Sequence, residues 1–338
     1  VGARSDVSIA LTWPAGSDPD GHVGGYVVTR DGVELGEPVG TGFVAKSLRP
    51  GTTYTFGVRT RDRAGHVSSA QTTVQATTVP PIQATGNVHA FLLATTEQSF
   101  ADLRANYTHV KWLQPTYYVV NQDGTLGGAN DRRITDWAQA RGILVLPRVE
   151  SQSTATIHAV LADQATRERL IGAIANAAAD EGYDGVNIDF EAGAATDRAL
   201  FASFVAELRG RLAAQGQLLS VCVSATKKAT TVGRAGFYDY DAISRAADDV
   251  FVLAWNEHWS TSPAGPLASV AWYTAVMSYM ATFGRNGKFT IGTHLYGMDW
   301  PQGSHATALE YPDVLATLAA HGAAHGWDAT AHEPTATY

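Results

Sequence analysis

The sequence has a single cysteine, Cys222, and it lacks any apolar stretch of the roughly 18 residues that a membrane-spanning helix needs. One cysteine excludes a disulfide within the chain, and its place in the apolar run 218–223 favours a buried structural thiol over a nucleophile. The chain also lacks a basic segment followed by an apolar leader. Because it starts at Val1 rather than at methionine, both a processed mature chain and an excised fragment fit.

Basic residues are fewer than acidic ones, with 24 Lys and Arg against 32 Asp and Glu, so the formal net charge is -8. Nucleic acids and anionic membranes are bound by basic faces, so we expect neither as a partner. With 338 residues, 45% of them hydrophobic, the chain can bury a full core. Its length fits one barrel-sized domain and a small one.

Residues 7–78 contain short runs of alternating apolar residues between turn residues, which is the spacing of an all-β sandwich. The segments 18–21 and 31–32 carry the Pro, Asp and Gly residues of tight turns. The stretch around Tyr54 resembles fibronectin type III modules. This resemblance implies that Tyr54 is the tyrosine corner and that Trp13 lies between the two sheets.

A second domain is predicted after a connector rich in Pro, Gly and polar residues at 79–87, so we expect domains at 1–78 and 88–338. After the connector, apolar runs alternate with helical patterns, which predicts a parallel sheet. Seven such runs in about 250 residues favour a (β/α) barrel over a doubly wound sheet. The runs are 88–93, 110–120, 143–149, 186–190, 218–224, 250–255 and 289–296.

The fourth run carries acidic and amide side chains on one face. In a strand, Val186, Ile188 and Phe190 point one way, and Asn187, Asp189 and Glu191 point the other way. The acids approach the carboxyl end of the strand, where barrel enzymes have their active sites. Neighbouring carboxylates raise one another's pKa, so one can donate a proton while the other is ionised. A buried ion network with an arginine such as Arg148 is an alternative, and a calcium loop is less compatible because its central glycine is missing.

Residues 184–191 read Asp-Gly-Val-Asn-Ile-Asp-Phe-Glu and are similar to the signature of family 18 glycoside hydrolases, with one substitution in eight positions. The resemblance implies retaining, substrate-assisted hydrolysis. It implies that Glu191 protonates the leaving oxygen and that Asp189 holds the substrate's acetamido group as it attacks C1. Asn187 and Asp184 would support these two residues. No cofactor is implied, and no histidine pair has metal-ligand spacing.

The resemblance extends from about residue 88 to the end and is closest to spore and cell-wall N-acetylglucosaminidases. It implies a substrate of β-1,4-linked N-acetylglucosamine, with peptidoglycan or spore-cortex glycan favoured over chitin. It further implies an extracellular or cell-wall location, and we expect a monomer. Aromatic rings suit stacking on sugars. The candidate substrate-binding residues near the predicted barrel end are Tyr117, Trp255, Asn256, Glu257, Tyr296 and Trp300.

Two features depart from the family pattern. Residues 253–256 read Leu-Ala-Trp-Asn where the family has Met-x-Tyr-Asp, and an indole N–H cannot copy the reach of the family's tyrosine hydroxyl. No eighth strand is evident before Tyr338, so we expect a truncated (β/α)8 TIM-type barrel with open edges. The competing hypothesis is therefore a catalytically inactive, lectin-like protein that still binds carbohydrate.

Overall fold

The computed structural model describes residues 1–18, 22–81, 83–93, 95–302 and 304–338. The predicted turn at 18–21 lies outside the described residues except for Asp18, and so does Ile82 of the predicted connector. The chain divides into two compact units, and the division falls inside that connector. Unit 1 comprises residues 1–84 with 140–142, and unit 2 comprises 85–139 and 143–338.

Unit 1 consists of two small antiparallel sheets around a core of its own. One sheet pairs the first and fourth strands, and the other has the order β3-β2-β5-β6. The strands are β1 (Ile9–Thr12), β2 (Val23–Arg30), β3 (Val33–Gly36), β4 (Gly42–Ala45), β5 (Thr53–Asp62) and β6 (Thr72–Thr77). Ile9, Leu11, Val28 and Phe56 are buried in this core, and Trp13 packs against them.

Unit 2 is built on a parallel sheet that curves into a nearly closed barrel, as the sequence predicts. Its strands in chain order are β7 (Val88–Leu92), β8 (Val110–Val120), β9 (Leu126–Gly128), β10 (Leu144–Val145), β11 (Arg148–Ser151), β12 (Gly185–Phe190), β13 (Leu218–Ser224), β14 (Asp249–Leu253) and β15 (Phe289–Gly292). Within them, β9 is an antiparallel partner of β8. Both β10 and β11 pair with β8 and together form one position of the barrel, interrupted at Pro147, which has no N–H to donate.

The helices of unit 2 mostly follow the strands and cover the sheet. Thr96, Ser153, Asp163, Asp239 and Ser269 each cap a helix by accepting a hydrogen bond from a first-turn N–H. The helices are α1 (Glu97–Asn106), α2 (Arg132–Gln139), α3 (Thr154–Ala162), α4 (Gln164–Asp180), α5 (Arg198–Ala213), α6 (Tyr240–Ala246), α7 (Val270–Ala281) and α8 (Tyr311–His321). In the part of the chain that the structure describes, none of them is long and apolar enough to cross a membrane.

The seven predicted runs all contain strands, but the last run is two elements rather than one. After β15 the chain leaves the barrel, and β16 (Tyr296–Asp299) pairs antiparallel with β17 (Thr307–Glu310). A further hairpin joins β18 (Gly326–Asp328) and β19 (Glu333–Thr335). Among the described residues no eighth parallel strand joins β7 to β15.

Candidate active site

The side chains of β12, the fourth strand position of the barrel, alternate between its two faces as predicted. Phe190 stacks on Phe204 of α5, with ring centroids 5.6 Å apart, so this face of the strand packs against the helical layer. Asn187 and Asp189 are buried at 0% and 2% exposure and form their polar contacts with the neighbouring strands β13 and β11. Glu191 follows the strand directly and is partly exposed. The acids therefore lie at the carboxyl end of a barrel strand, where catalytic groups of barrel enzymes lie.

Arg148 on β11 joins three carboxylates at this end of the barrel. Its Nε lies 2.6 Å from Asp189 Oδ2, and its Nη1 lies 2.6 Å from Glu150 Oε2. Its Nη2 lies 3.4 Å from Glu191 Oε1. The arginine network that the sequence left as an alternative is thus present together with the paired acids.

The environment of Glu191 favours its protonated form. Burial raises the pKa of this carboxyl, and the nearby charge of Asp189 raises it further, while Arg148 and Arg234 oppose both effects. For Asp189, burial raises the pKa, and the charge and hydrogen bond of Arg148 oppose that shift. Glu191 can therefore keep its proton to a higher pH than an ordinary glutamate, which a general acid requires.

Asn187 belongs to a polar network that fills the barrel below the acids. Its Nδ2 donates to Ser220 Oγ at 3.0 Å, and Ser220 Oγ donates to Asp249 Oδ2 at 2.8 Å. The thiol of Cys222, which is fully buried as predicted, lies 3.4 Å from Asn187 Oδ1. These contacts fix Asn187 through β13 and β14. The side-chain hydrogen bonds found for Asn187 in the described residues go to Ser220 and Cys222 and not to Asp189.

Asp184 does not join the other candidate catalytic residues. It precedes β12, and its Oδ2 accepts hydrogen bonds from Val145 N at 2.8 Å and Gln139 Nε2 at 3.0 Å. At about 3.3 Å per residue, the seven residues that follow place Glu191 roughly 20 Å away. Asp184 therefore ties the start of β12 to β10, at the end of the barrel opposite the acids.

Tyr117 is also placed away from the site. On β8, Thr116 lies next to Arg148, with Nη1 3.5 Å from Thr116 Oγ1, and the following side chain points to the other face. The Tyr117 hydroxyl donates to Asp131 O at 3.2 Å and lies 3.2 Å from Thr135 Oγ1 of α2. Burial raises the pKa of Tyr117 to about 12. Its ring is enclosed between β8 and α2 and is not open to a sugar.

Tyr296, Asn256 and Trp255 lie on the side of the site formed by the loops after β14 and β15. The Tyr296 hydroxyl donates to Asn256 Oδ1 at 3.1 Å, and Asn256 has a positive φ of 64°. Burial raises the pKa of Tyr296, and the charge of Glu191 raises it further, so the two groups are near each other. Trp255 is partly buried against Phe251 and its neighbours.

Glu257 and Trp300, the remaining candidate substrate-binding residues, have different surroundings. Glu257 Oε2 accepts a hydrogen bond from Ser269 N at 2.8 Å, which closes the loop that leads into α7. Trp300 follows β16 and is partly buried, and its indole N–H makes no hydrogen bond with the described residues. Across those residues, no group of three or more His, Cys, Asp or Glu side chains is arranged to hold a metal ion.

An open cavity of about 400 Å³ lies at the loop that directly follows Glu191. It is lined by Thr154, residues 192–195 and the pair Gly233 and Arg234. A Cβ at Gly193 would overlap the ring of Phe237, so glycine is needed there for the loop to pack. Sequence reasoning missed this cavity and Arg234, because loop residues after different strands have no shared motif, and it missed Glu150, which lies on β11 in a different strand from the signature. A common position at the carboxyl ends of barrel strands was the signal that could have indicated these residues.

A parallel barrel with two acids, a cavity and aromatic side chains at the carboxyl ends of its strands defines a glycosidase-like site. The chain belongs to the glycosyl hydrolases family 18, whose sequence profile matches residues 64–336.

Individual relatives include proteins named for spore and chitin glycans. YdhD of Bacillus subtilis (strain 168), named as a candidate sporulation-specific glycosylase, is 34% identical over 148 residues, covering 44% of this chain and 35% of that protein. The cortical fragment-lytic enzyme of the same organism is 24% identical over 241 residues, covering 68% of this chain and 56% of the enzyme. The crystal structure of a chitinase from Chromobacterium violaceum ATCC 12472 is similar with a TM-score of 0.67 and 25% identity, covering 74% of this chain and 81% of the other. The chain thus spans less than two thirds of the length of either of these two curated relatives.

Proposed function

We propose that the protein is a retaining glycoside hydrolase of β-1,4-linked N-acetylglucosamine polymers, with peptidoglycan or spore-cortex glycan favoured over chitin. The observation that carries this proposal is the pairing of Glu191 with Asp189. Glu191 is partly exposed at the carboxyl end of β12, and burial together with the Asp189 charge raises its pKa. A partly exposed proton donor therefore lies beside a buried carboxylate.

In the proposed reaction, the acetamido oxygen of the substrate attacks C1 while the bond from C1 to the leaving oxygen breaks. Glu191 gives its proton to that oxygen. Asp189 accepts a hydrogen bond from the acetamido N–H and stabilises the oxazolinium ion. The Glu191 carboxylate then takes a proton from the water that opens this ion, so the configuration at C1 is retained. The free Oδ1 of Asp189, which accepts no hydrogen bond from the described residues, supports this role.

The groups around Glu191 support a sugar subsite. Trp255 stands where the family has a tyrosine, and the phenol of Tyr296 offers a hydroxyl on the same side of the site. The positive charge of Arg234 beside the cavity favours a glycan with carboxylates, which peptidoglycan has and chitin lacks. The name of the related cortical fragment-lytic enzyme agrees with this preference. An extracellular or cell-wall location follows from such a substrate.

For the first part of the chain, we propose a fibronectin type III-like module at 1–78, followed by a connector at 79–87 and the catalytic domain at 88–338. Tyr54 supports this proposal because its hydroxyl accepts a hydrogen bond from Arg49 N at 2.8 Å, five residues upstream, as in a tyrosine corner. Trp13 packs edge-on against Tyr26 with centroids 5.3 Å apart. The module would act as a spacer.

The test is product analysis by mass spectrometry after incubation with N-acetylglucosamine oligomers and with peptidoglycan glycan strands. We expect shortened products from the native chain, and a loss of about 10²-fold or more in rate for Glu191→Gln, because the amide has no acidic proton to give. Glu168→Gln, on the exposed surface of α4, is the matched control and should leave the rate unchanged.

Two outcomes would contradict the proposal. Equal rates for Glu191→Gln and the native chain would remove Glu191 from the reaction. Intact substrates with measurable sugar binding would favour the lectin-like alternative, which the replacement of the family's tyrosine by Trp255 motivates.

A further inference from the structure

We propose that Arg148 is a positioning residue: its guanidinium fixes the Asp189 carboxylate through Oδ2, so that Oδ1 stays free to accept the substrate's amide N–H. This inference rests on the proposed function and adds a residue that the family signature at 184–191 does not contain. It assigns a function to the buried Arg148 guanidinium, whose ion pairs would otherwise have only a structural role.

The geometry divides the two oxygens of Asp189 between different tasks. Oδ2 accepts a hydrogen bond from Arg148 Nε at 2.6 Å. Oδ1 is buried and has no hydrogen-bond partner among the described residues. A buried carboxylate oxygen without a partner costs free energy, and a ligand that donates an N–H removes that cost. Arg148 thus orients one oxygen by holding the other.

The arginine is itself held rigidly by its remaining nitrogens. Nη1 pairs with Glu150 Oε2 at 2.6 Å, and Nη2 lies 3.4 Å from Glu191 Oε1. The planar guanidinium presents these donors in a fixed fork, and it remains charged at every accessible pH. A lysine could pair with one carboxylate but could not hold all three in this arrangement.

Asn187 does not take over this task. The family signature has an aspartate at this position, but the amide here is neutral and forms its hydrogen bonds with Ser220 and Cys222. A neutral amide that is already hydrogen-bonded cannot compensate a charge on Asp189. Arg148 supplies that compensation from the neighbouring strand.

The charged and titratable groups around Asp189 set the sign of the pH dependence. Glu150, Glu191, the Cys222 thiol and the Tyr238 hydroxyl are the titratable neighbours of the Arg148–Asp189 pair, and β7 and β8 contribute the neutral Phe91 and Thr116. Burial raises the pKa of Asp189, and Arg148 opposes the shift. Without the arginine, Asp189 should bind a proton at a higher pH and lose the anion that the reaction needs.

The experiment compares Arg148→Met and Arg148→Lys in the full chain, with kcat and KM measured across pH on soluble N-acetylglucosamine oligomers. For Arg148→Met we expect the acidic limb of the kcat profile to move up by about one pH unit or more, because a cation in contact lowers a carboxyl pKa by about that much. Arg148→Lys should restore the position of the limb in part, with KM changed little. Arg209→Met, which removes an ion pair with Asp248 at 3.0 Å, is the control and should leave the limb in place.

A second measurement does not depend on turnover. The Asp189 carboxyl carbon is titrated by NMR in the native chain and in Arg148→Met, with its signal assigned by its loss in Asp189→Asn. The midpoint should lie at a higher pH in Arg148→Met than in the native chain. Equal midpoints, or a kcat profile that falls uniformly without a shift, would overturn the inference. A native chain that cleaves neither substrate would contradict only the proposed function, because the titration still tests the role of Arg148.

Discussion

Arg234 and Arg148 both act on Glu191, but only Arg234 faces the open cavity. Its charge lowers the pKa of the Glu191 carboxyl, which places the guanidinium within electrostatic reach of the acid. The side chain is exposed, so water screens its interactions. Such a cation can distinguish an acidic sugar substituent from a neutral one at a modest gain in free energy.

For Arg234→Ala we expect kcat/KM on peptidoglycan strands to fall about fivefold, the equivalent of an exposed ion pair of roughly 1 kcal/mol. Rates on neutral N-acetylglucosamine oligomers should change little at the optimum. Removing the cation should also raise the Glu191 pKa further, so the basic limb should move to higher pH on both substrates. Steady-state kinetics of both substrates across pH checks this prediction.

Arg211→Ala, at an exposed position on α5, serves as the control for that series. A loss of equal size on both substrates would show that Arg234 does not read the charge of the glycan. An unchanged basic limb would show that its charge does not reach Glu191.

At the scale of single elements, β12 depends on the absence of a side chain at its first residue. A Cβ at Gly185 would overlap the carbonyl oxygen of Leu218 on β13, so the two strands approach too closely for alanine. Strand β12 carries Asp189 and leads into Glu191, and a shift at its start would be transmitted along the strand. The close packing of β12 against β13 therefore helps to set the positions of Asp189 and Glu191.

We expect Gly185→Ala to lower the free energy of unfolding by about 1–3 kcal/mol, the usual cost of overpacking a core. Gly210→Ala on α5 is the matched control, since a Cβ there meets nothing within 4 Å. It should raise stability by about 0.5–1 kcal/mol, because alanine favours helix over glycine. Urea denaturation measures both, and equal effects of the two substitutions would contradict the packing argument.

Elements with a strong local pattern could be predicted from the sequence, and elements set by long-range pairing could not. The alternation around Asp189 depends only on strand geometry and is confirmed. Tyr117 lies on a strand with both faces largely buried, so its pattern gives no sign of which face meets the barrel. Contacts of Arg148 depend on the register of β11 against β12, which pairs Arg148 with Asn187 and Glu150 with Asp189. The run 289–296 conceals the end of β15 because Leu295 and Tyr296 resume the apolar pattern beyond it.

For the whole molecule, the net negative charge does not by itself exclude an acidic glycan from the site. The net charge is -8, whereas Arg148 and Arg234 lie beside the acids of the site. At physiological salt, charges are screened beyond about 8 Å, so the distant acidic surface repels an acidic glycan only weakly. The groups within the site, among them Arg234 at the cavity, therefore determine what the site attracts. An acidic protein can therefore still bind an acidic polymer at this site.

The two units have separate buried cores, and this predicts that stability of unit 1 can be lowered without loss of catalysis. Phe56 of β5 is 1% exposed in the core of unit 1, so Phe56→Ala should destabilise that unit by about 3–5 kcal/mol. Val33→Ala, at a position 63% exposed, is the control and should change stability by less than about 0.5 kcal/mol. Calorimetry of Phe56→Ala should show one transition moved to lower temperature and another unmoved.

Below the first transition, hydrolysis of soluble oligomers should keep its native rate, since the candidate catalytic residues all lie in unit 2. A parallel loss of activity would contradict the spacer role of unit 1 and would show that the barrel depends on it.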